Sequence, residues 1–406
     1  MKLMKLLTAA AIVALVVGFG ACETNAQGHG KRGIKTTKVR KGKTRANAKA
    51  EGAAPESGAP RHFNGTVTIA MTGDIMTGSI MPTPDLPPND GRDIFVDCAQ
   101  LIGSADVACG NLEGVLADSG KQRKSPGPLS FSFMMPTKSV RLLVDAGFDF
   151  MGIANNHIND FYPAGIASTI KTLSDAGIGV AGTKECETSI REINGVKYGF
   201  CAFGHEQYSL RTQDAATVKR IVKQLRHECD IVIVCFHGGS EGVKERHLPH
   251  GTEYFHGADR GNLREFAHLC IDSGADIVYG HGPHVCRGME VYKGHLIAYS
   301  LGNFATPRGM RLAGLTSYAP LLMVKLNGGR FASGQIHPFI QYRDKGPRTD
   351  NSGAVIREIK ALSEEDFEPN DLIITNEGLL LSKSLMKSSL TEEEVKKITQ
   401  EAKTNQ

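Results

Sequence analysis

Asp276-Ile277-Val278-Tyr279-Gly280-His281-Gly282-Pro283-His284 is a short apolar run that breaks at glycine and delivers two histidines. A run of this length, bounded by Gly and Pro, reads as a buried strand with its imidazoles at the carboxyl end. Earlier in the chain Asp230 to Phe236 repeats the pattern and ends in His237-Gly238-Gly239. In open α/β sheets ligand sites form in the crevice outside the carboxyl ends of the strands, where several loops converge. If other strands send matching groups to that edge, the chain is an α/β protein with a site there.

They do. Val67 to Thr72 alternates in the manner of a strand and ends in Gly73-Asp74. Asp106 to Cys109 ends in Gly110-Asn111-Leu112-Glu113, and Phe148 to Ala154 ends in Asn155-Asn156-His157. Helices closing in Asp145-Ala146-Gly147, Asp175-Ala176-Gly177 and Asp272-Ser273-Gly274 are each followed by a strand, the cadence of βαβ units. Helical spacing predicts helices over about 92–102, 137–146, 217–229 and 260–272. Gly179 to Gly182 and Lys197 to Phe203 read as strands joined by a hairpin at Asn194-Gly195. Further hairpins are expected at Lys293-Gly294 and Asn327-Gly328-Gly329. From about residue 346 the chain reads as a polar, peripheral extension with a final helix opened by Thr391-Glu392-Glu393-Glu394.

Composition is that of a globular protein, 41% hydrophobic and 22% charged, which fits one large α/β domain (63–345) with appended tails. The net charge of +4 is local in origin, because Lys31, Arg32, Lys35, Lys38, Arg40, Lys41, Lys43, Arg45 and Lys49 exceed the whole surplus. Residues 23–62 therefore read as a flexible basic linker with little to bury, suited to an anionic surface or polymer. These basic residues have no interleaved aromatics, so nucleic acid is not expected as a partner. Residues 1–22, with Lys2 and Lys5 ahead of an apolar run and Gly20-Ala21-Cys22 at its exit, read as a lipoprotein-type export signal with Cys22 as the lipidated residue. Cleavage near Ala26 is the alternative. The eight other cysteines sit in apolar runs and helix-like stretches or are scattered without a CxxC pair, so a cysteine zinc site is not expected.

Five strand ends thus deliver Asp74, Glu113, Asn156 with His157, His237, and His281 with His284. Carboxylate oxygen and imidazole nitrogen are the ligands of Zn²⁺, Mn²⁺ or Fe²⁺, and an Asn carbonyl suits a hard cation. Taken singly, a strand-end His is more often structural, and an Asp after Gly is often a turn residue. Their recurrence at one edge favours a metal site. His205 is a candidate for its rim, and His247, His250, His256, His268 and His295 read as surface or packing residues.

Gly73-Asp74, Asn111-Leu112-Glu113, Ala154-Asn155-Asn156-His157, His237-Gly238-Gly239, Gly280-His281-Gly282-Pro283-His284 and Tyr299-Ser300-Leu301-Gly302-Asn303-Phe304 together resemble the ordered motifs of the CapA (PgsA) family of capsule or poly-γ-glutamate biosynthesis proteins. That family lies in the calcineurin-like metallophosphoesterase superfamily. The resemblance implies a four-layer αββα sandwich, two mixed β-sheets flanked by helices. It implies one or two divalent ions (Mn, Zn or Fe) held by Asp74, Glu113, Asn156, His237, His281 and His284, and His157 as the catalytic acid. Asn111, Asn155, Glu241 and Asn303 are expected to touch substrate or support the ligands. The chain departs from the superfamily pattern at two places: Asp74-Ile75-Met76 stands where Asp-x-His is usual, and two residues instead of one separate His281 from His284.

The function these readings imply is a surface-anchored protein acting on capsule, poly-γ-glutamate or another envelope polymer as a metal-dependent hydrolase or transferase. The alternatives are a phosphodiesterase or nucleotidase, and a non-catalytic polymer-binding or export-assembly protein with an incomplete metal site. The expected setting is outside the cytoplasm, with a lipid anchor at the cell or outer membrane facing periplasm or cell surface. Its expected partners are an anionic polymer and a polymer-synthesis complex.

Overall fold

Side chains along the strand Thr66–Ile75 alternate, so Ile69 and Met71 enter one core while Ala70 enters another. In the computed structural model, which describes residues 63–389 except 126, 128 and 129, together with residue 400, this strand lies inside the larger of two sheets. The export segment 1–22, Cys22, the linker 23–62 and the helix expected from Thr391 lie outside the described residues.

The larger sheet runs 372–374, 379–382, 330–337, 321–327, 66–75, 107–112, 150–152, 179–181, with 303–305 also pairing to 66–75. It is mixed: the pairings from 66–75 through 107–112 and 150–152 to 179–181 are parallel, as is that of 303–305 with 66–75, and the pairings from 66–75 through 321–327, 330–337 and 379–382 to 372–374 are antiparallel. The second sheet runs 289–292, 295–298, 277–281, 231–237, 196–203, 188–193. It too is mixed, with 277–281, 231–237 and 196–203 parallel.

The sheets pack face to face. Phe150 of one stacks on Phe200 of the other with centroids 5.2 Å apart, inside a core that also holds Met71, Ile233 and Tyr279. On the outer face of the larger sheet, Ala108 and Met151 meet Leu143 and Leu173 from the helices Val140–Ala146 and Tyr162–Asp175. On the outer face of the second, Val232, Val234 and Phe236 meet Val218, Ile221 and Phe266 from the helices Ala215–Glu228 and Leu263–Asp272. The four layers are those expected. The second pair of helices is opened by side-chain caps, Asp214 accepting from Thr217 N at 3.1 Å and Asn262 from Glu265 N at 3.3 Å.

Three expectations change. The hairpin at Asn194-Gly195 joins Thr188–Ile193 to Val196–Phe203, while Gly179–Ala181 belongs to the larger sheet. Thr188–Ile193 is a half-exposed edge strand, Ile190 included, so it lacks the apolar signal of a buried one. The helix expected from about residue 92 is regular only over Ala99–Ile102. The stretch after residue 345 is not peripheral. Helix Ala354–Asp366 and strands Leu372–Ile374 and Leu379–Ser382 place Val355, Ile359, Leu372, Ile374 and Leu380 in the core between the sheets. Two short apolar runs around a turn make a hairpin that a mostly polar composition hides. All eight cysteines among the described residues are free thiols, seven of them buried.

The two histidine-bearing loops touch backbone to backbone. Gly282 has φ 121°, and a Cβ there would lie 2.1 Å from Gly238 O. Gly282→Ala should therefore cost about 1–3 kcal/mol from overpacking, with left-handed strain added. Urea denaturation checks this; an unchanged midpoint and slope would show that the loops separate freely.

Candidate metal centre

Asp74 is fully buried at the end of its strand, its N–H donating to Gly302 O at 2.8 Å. Asn111 Nδ2 donates to Asp74 Oδ1 at 2.8 Å, and Asn155 Nδ2 donates to Asn111 Oδ1 at 3.3 Å, so two amides from neighbouring strand ends orient the carboxylate. Glu113 is equally buried, its N–H donating to Ile75 O at 2.9 Å. From the second sheet come His237 and His281, paired in register as the last residues of adjacent parallel strands. Gly282-Pro283 then turns the chain so that His284, at φ 58°, re-enters the cleft.

These groups meet. Ligand atoms of Asp74, Glu113 and His284 all lie within 4.8 Å of one another. His281 Nδ1 is 3.2 Å from Asp74 Oδ1, and His237 Nε2 is 3.9 Å from Glu113 Oε1. His284 Nδ1 lies 3.0 Å from Asn303 Oδ1 and 3.3 Å from Asp74 Oδ2, both acceptors, so Nδ1 carries a hydrogen. His284 Nε2 faces Glu113 Oε1 at 3.6 Å and Glu241 Oε2 at 3.9 Å. Asn156 keeps a buried, unpartnered side-chain oxygen, while its carbonyl accepts from Lys124 Nζ at 3.4 Å.

Burial by itself would raise the Asp74 pKa, but His281, His284 and His237 reverse it and hold the carboxyl well below its usual range. Burial pushes Glu113 well above the usual range, with Asp74 and Glu241 adding to the rise against the opposing His284. Burial depresses His237 far below an ordinary imidazole. Burial opposes protonation of His284 too, yet Glu113 and Asp74 push it up to about 10.

The donor set fits a divalent cation. Asp74 Oδ2, both oxygens of Glu113, Asn156 Oδ1 and both ring nitrogens of His237 and His281 are buried without a hydrogen-bond partner. Orphaned buried polar atoms each cost about 1–3 kcal/mol, and so many at one strand edge call for a shared partner. Met76 contributes no such donor, since its side chain is fully buried in the outer core of the larger sheet.

His157 stands at the margin of this group, its Nε2 3.9 Å from Glu113 Oε1. Three residues absent from the sequence reading surround the centre. Asp160 Oδ2 lies 2.7 Å from His157 Nδ1 and accepts from Phe133 N at 2.9 Å, while its Oδ1 pairs with Lys124 Nζ at 2.7 Å. Asp160 thus receives the Nδ1 hydrogen and leaves Nε2 toward the cleft; burial then holds the His157 pKa below the ordinary value. Arg260, also buried, donates from Nη2 to Glu241 Oε1 at 2.8 Å. Nothing in the sequence pointed to Asp160, Lys124 or Arg260, because each acts through a partner that only the folded loops bring near.

His205, nearly buried, sits with its ring 6.5 Å from that of His237 and Nε2 3.4 Å from Glu206 Oε1. Other histidines take packing roles: His247 on Asp366, His268 on Glu290 and stacked on Tyr292, His295 on Asp276 O.

The family described as bacterial capsule synthesis protein PGA_cap matches residues 68–308, a span that includes every strand end described above. The capsule biosynthesis protein CapA of Bacillus anthracis is 27% identical over 266 residues, 61% of this chain and 61% of that protein. The chain thus spans less than two thirds of that relative's length. The PGA biosynthesis protein CapA of Bacillus subtilis (strain 168) is 24% identical over 282 residues, 65% of this chain and 70% of that protein. Among solved structures, a hypothetical protein from Thermus thermophilus aligns over 67% of this chain and 99% of its own, at 17% identity and a TM-score of 0.42. With the matched span covering more than half of the residues and all of the cleft, the chain belongs to the bacterial capsule synthesis protein PGA_cap family.

Proposed function

We propose that this protein acts on a capsule, poly-γ-glutamate or related envelope polymer as a hydrolase or transferase, through a divalent cation held by Asp74, Glu113 and His284. Asn156, His237 and His281 complete the ligands. The observation that carries the reading is the set of buried, unpartnered carboxylate, amide and imidazole atoms at one strand edge. The relatives named for capsule and PGA biosynthesis suggest the process. When bound, the cation would supply Lewis acidity toward a carbonyl or phosphoryl oxygen.

The protein's own residues do the rest. Asn111 and Asn155 orient Asp74, and Asn303 fixes the His284 tautomer so that Nε2 is the ligand atom. His157, with Nδ1 bound to Asp160, exchanges the reaction's proton at Nε2. Export through residues 1–22 and lipid on Cys22 would place the domain at the envelope, with the basic linker toward an anionic polymer. No helix among the described residues is long and apolar enough to cross a membrane.

The test pairs polymer production in cells with turnover of isolated polymer by the purified protein. His157→Ala should keep its metal and lose turnover by about 10²–10⁴-fold. Polymer display that survives both His157→Ala and Asp74→Asn would overturn the catalytic reading and leave a binding protein.

A further inference from the structure

The turn Gly238–Gly242 is pinned from several sides. Gly239 N donates to Arg260 O and Arg260 Nε donates back to Gly239 O, both at 2.9 Å. Ser240 N donates to Glu253 Oε2 at 2.9 Å, and Gly242 N to Pro283 O at 3.0 Å. Glu253 is buried against Arg287 through two bonds of 2.9 and 2.7 Å. The hairpin of Glu253–Phe255 and Ala258–Gly261 thus supplies both clamps, Glu253 and Arg260.

What the clamped turn presents is Glu241. Arg260 Nη2 holds one carboxylate oxygen, Oε1, at 2.8 Å. The other, Oε2, lies 3.9 Å from His284 Nε2, the same nitrogen that faces Glu113 Oε1 at 3.6 Å. Because the Nδ1 hydrogen of His284 is taken by Asn303 Oδ1, Nε2 is the ring nitrogen turned toward the ion. Glu113 beside it has two buried, unpartnered oxygens. A carboxylate serving only Arg260 would not need its second oxygen held at that nitrogen.

We infer that Glu241 is a further direct ligand of the ion, a third carboxylate beside Asp74 and Glu113, and that Arg260 is the positioning residue that turns its free oxygen toward His284. The inference rests on the cation reading above.

The test is calorimetric titration of metal-free, full-length protein in detergent with Mn²⁺, with the spin-resonance spectrum of bound Mn²⁺ as a second readout. Loss of an outer partner typically weakens metal binding about 10–100-fold. Glu241→Gln, which keeps shape and hydrogen bonding to Arg260, should weaken Mn²⁺ by about 100-fold or more and alter the spectrum. Arg260→Gln should weaken it by about tenfold, and Glu241→Asp should fall between the two. Equal Mn²⁺ affinity and an unchanged spectrum in Glu241→Gln overturn the inference and make Glu241 a substrate contact, while the cation reading stands. A parent protein that takes up no Mn²⁺, Zn²⁺ or Fe²⁺ overturns both.

Discussion

Asp74→Asn and Glu113→Gln are each expected to reduce the divalent-metal content of the purified protein from near one equivalent to background, read by elemental analysis. Asp74 is one of three residues whose ligand atoms lie within 4.8 Å, and its charge is already held in place by His281 and His284. Removing that charge leaves the imidazoles without their counter-ion and the cation without its anchor. Chelation should lower the melting temperature of the parent by several degrees but leave Asp74→Asn unmoved, since a ligand at a hundred times its Kd stabilises by about 2.7 kcal/mol. The pH dependence has a definite sign. In the ion-free protein Glu113 and Asp74 push His284 up to about 10, so its ring carries a proton on Nε2 as well as on Nδ1 at neutral pH, and burial raises Glu113 well above the usual carboxylate range. An ion must displace the Nε2 proton of His284, so affinity rises with pH and binding releases acid, measurable by calorimetry in buffers of different ionisation enthalpy. Stoichiometric metal in Asp74→Asn, or affinity independent of pH, would contradict this account.

Arg287→Met should be the most damaging single change to stability, by about 3–5 kcal/mol, because it strands Glu253 in the interior. Arg287 is fully buried, donates twice to Glu253, and holds Glu245 O at 2.8 Å through Nε. The exposed pair of Arg220 with Glu187 at 2.7 Å supplies the contrast: Arg220→Ala should stay within about 1 kcal/mol, since water screens it. Urea denaturation of the two variants decides. Because Ser240 N also rests on Glu253, Glu253→Gln should loosen the Glu241 turn as well as the fold. Equal, small losses for Arg287→Met and Arg220→Ala would mean that water reaches the Arg287 pair.

Much of the centre was legible because each donor follows an apolar run that stops at Gly or Asn. That shared position marked Asp74, Glu113, His157, His237, His281 and His284 as candidates, and the structure brings them to one cleft. Asp160 and Arg260 were not. Each acts through a partner, His157 or Glu241, whose distance depends on loops folding over the strand ends. The edge strand Thr188–Ile193 and the hairpin after residue 371 escaped for another reason. One is half-exposed, and the other is too short for its apolar period to stand out.

The amino-acid sequence determined which residues end strands, which chemistry those ends carry, and that buried strands alternate with helices, because these follow from local hydrophobic period and glycine punctuation. Tertiary structure decided which donors share one point. Asp74 and His284 lie far apart in the chain and on different sheets, and only the packing of one sheet on the other, with Phe150 against Phe200 and Gly282 against Gly238, sets their separation.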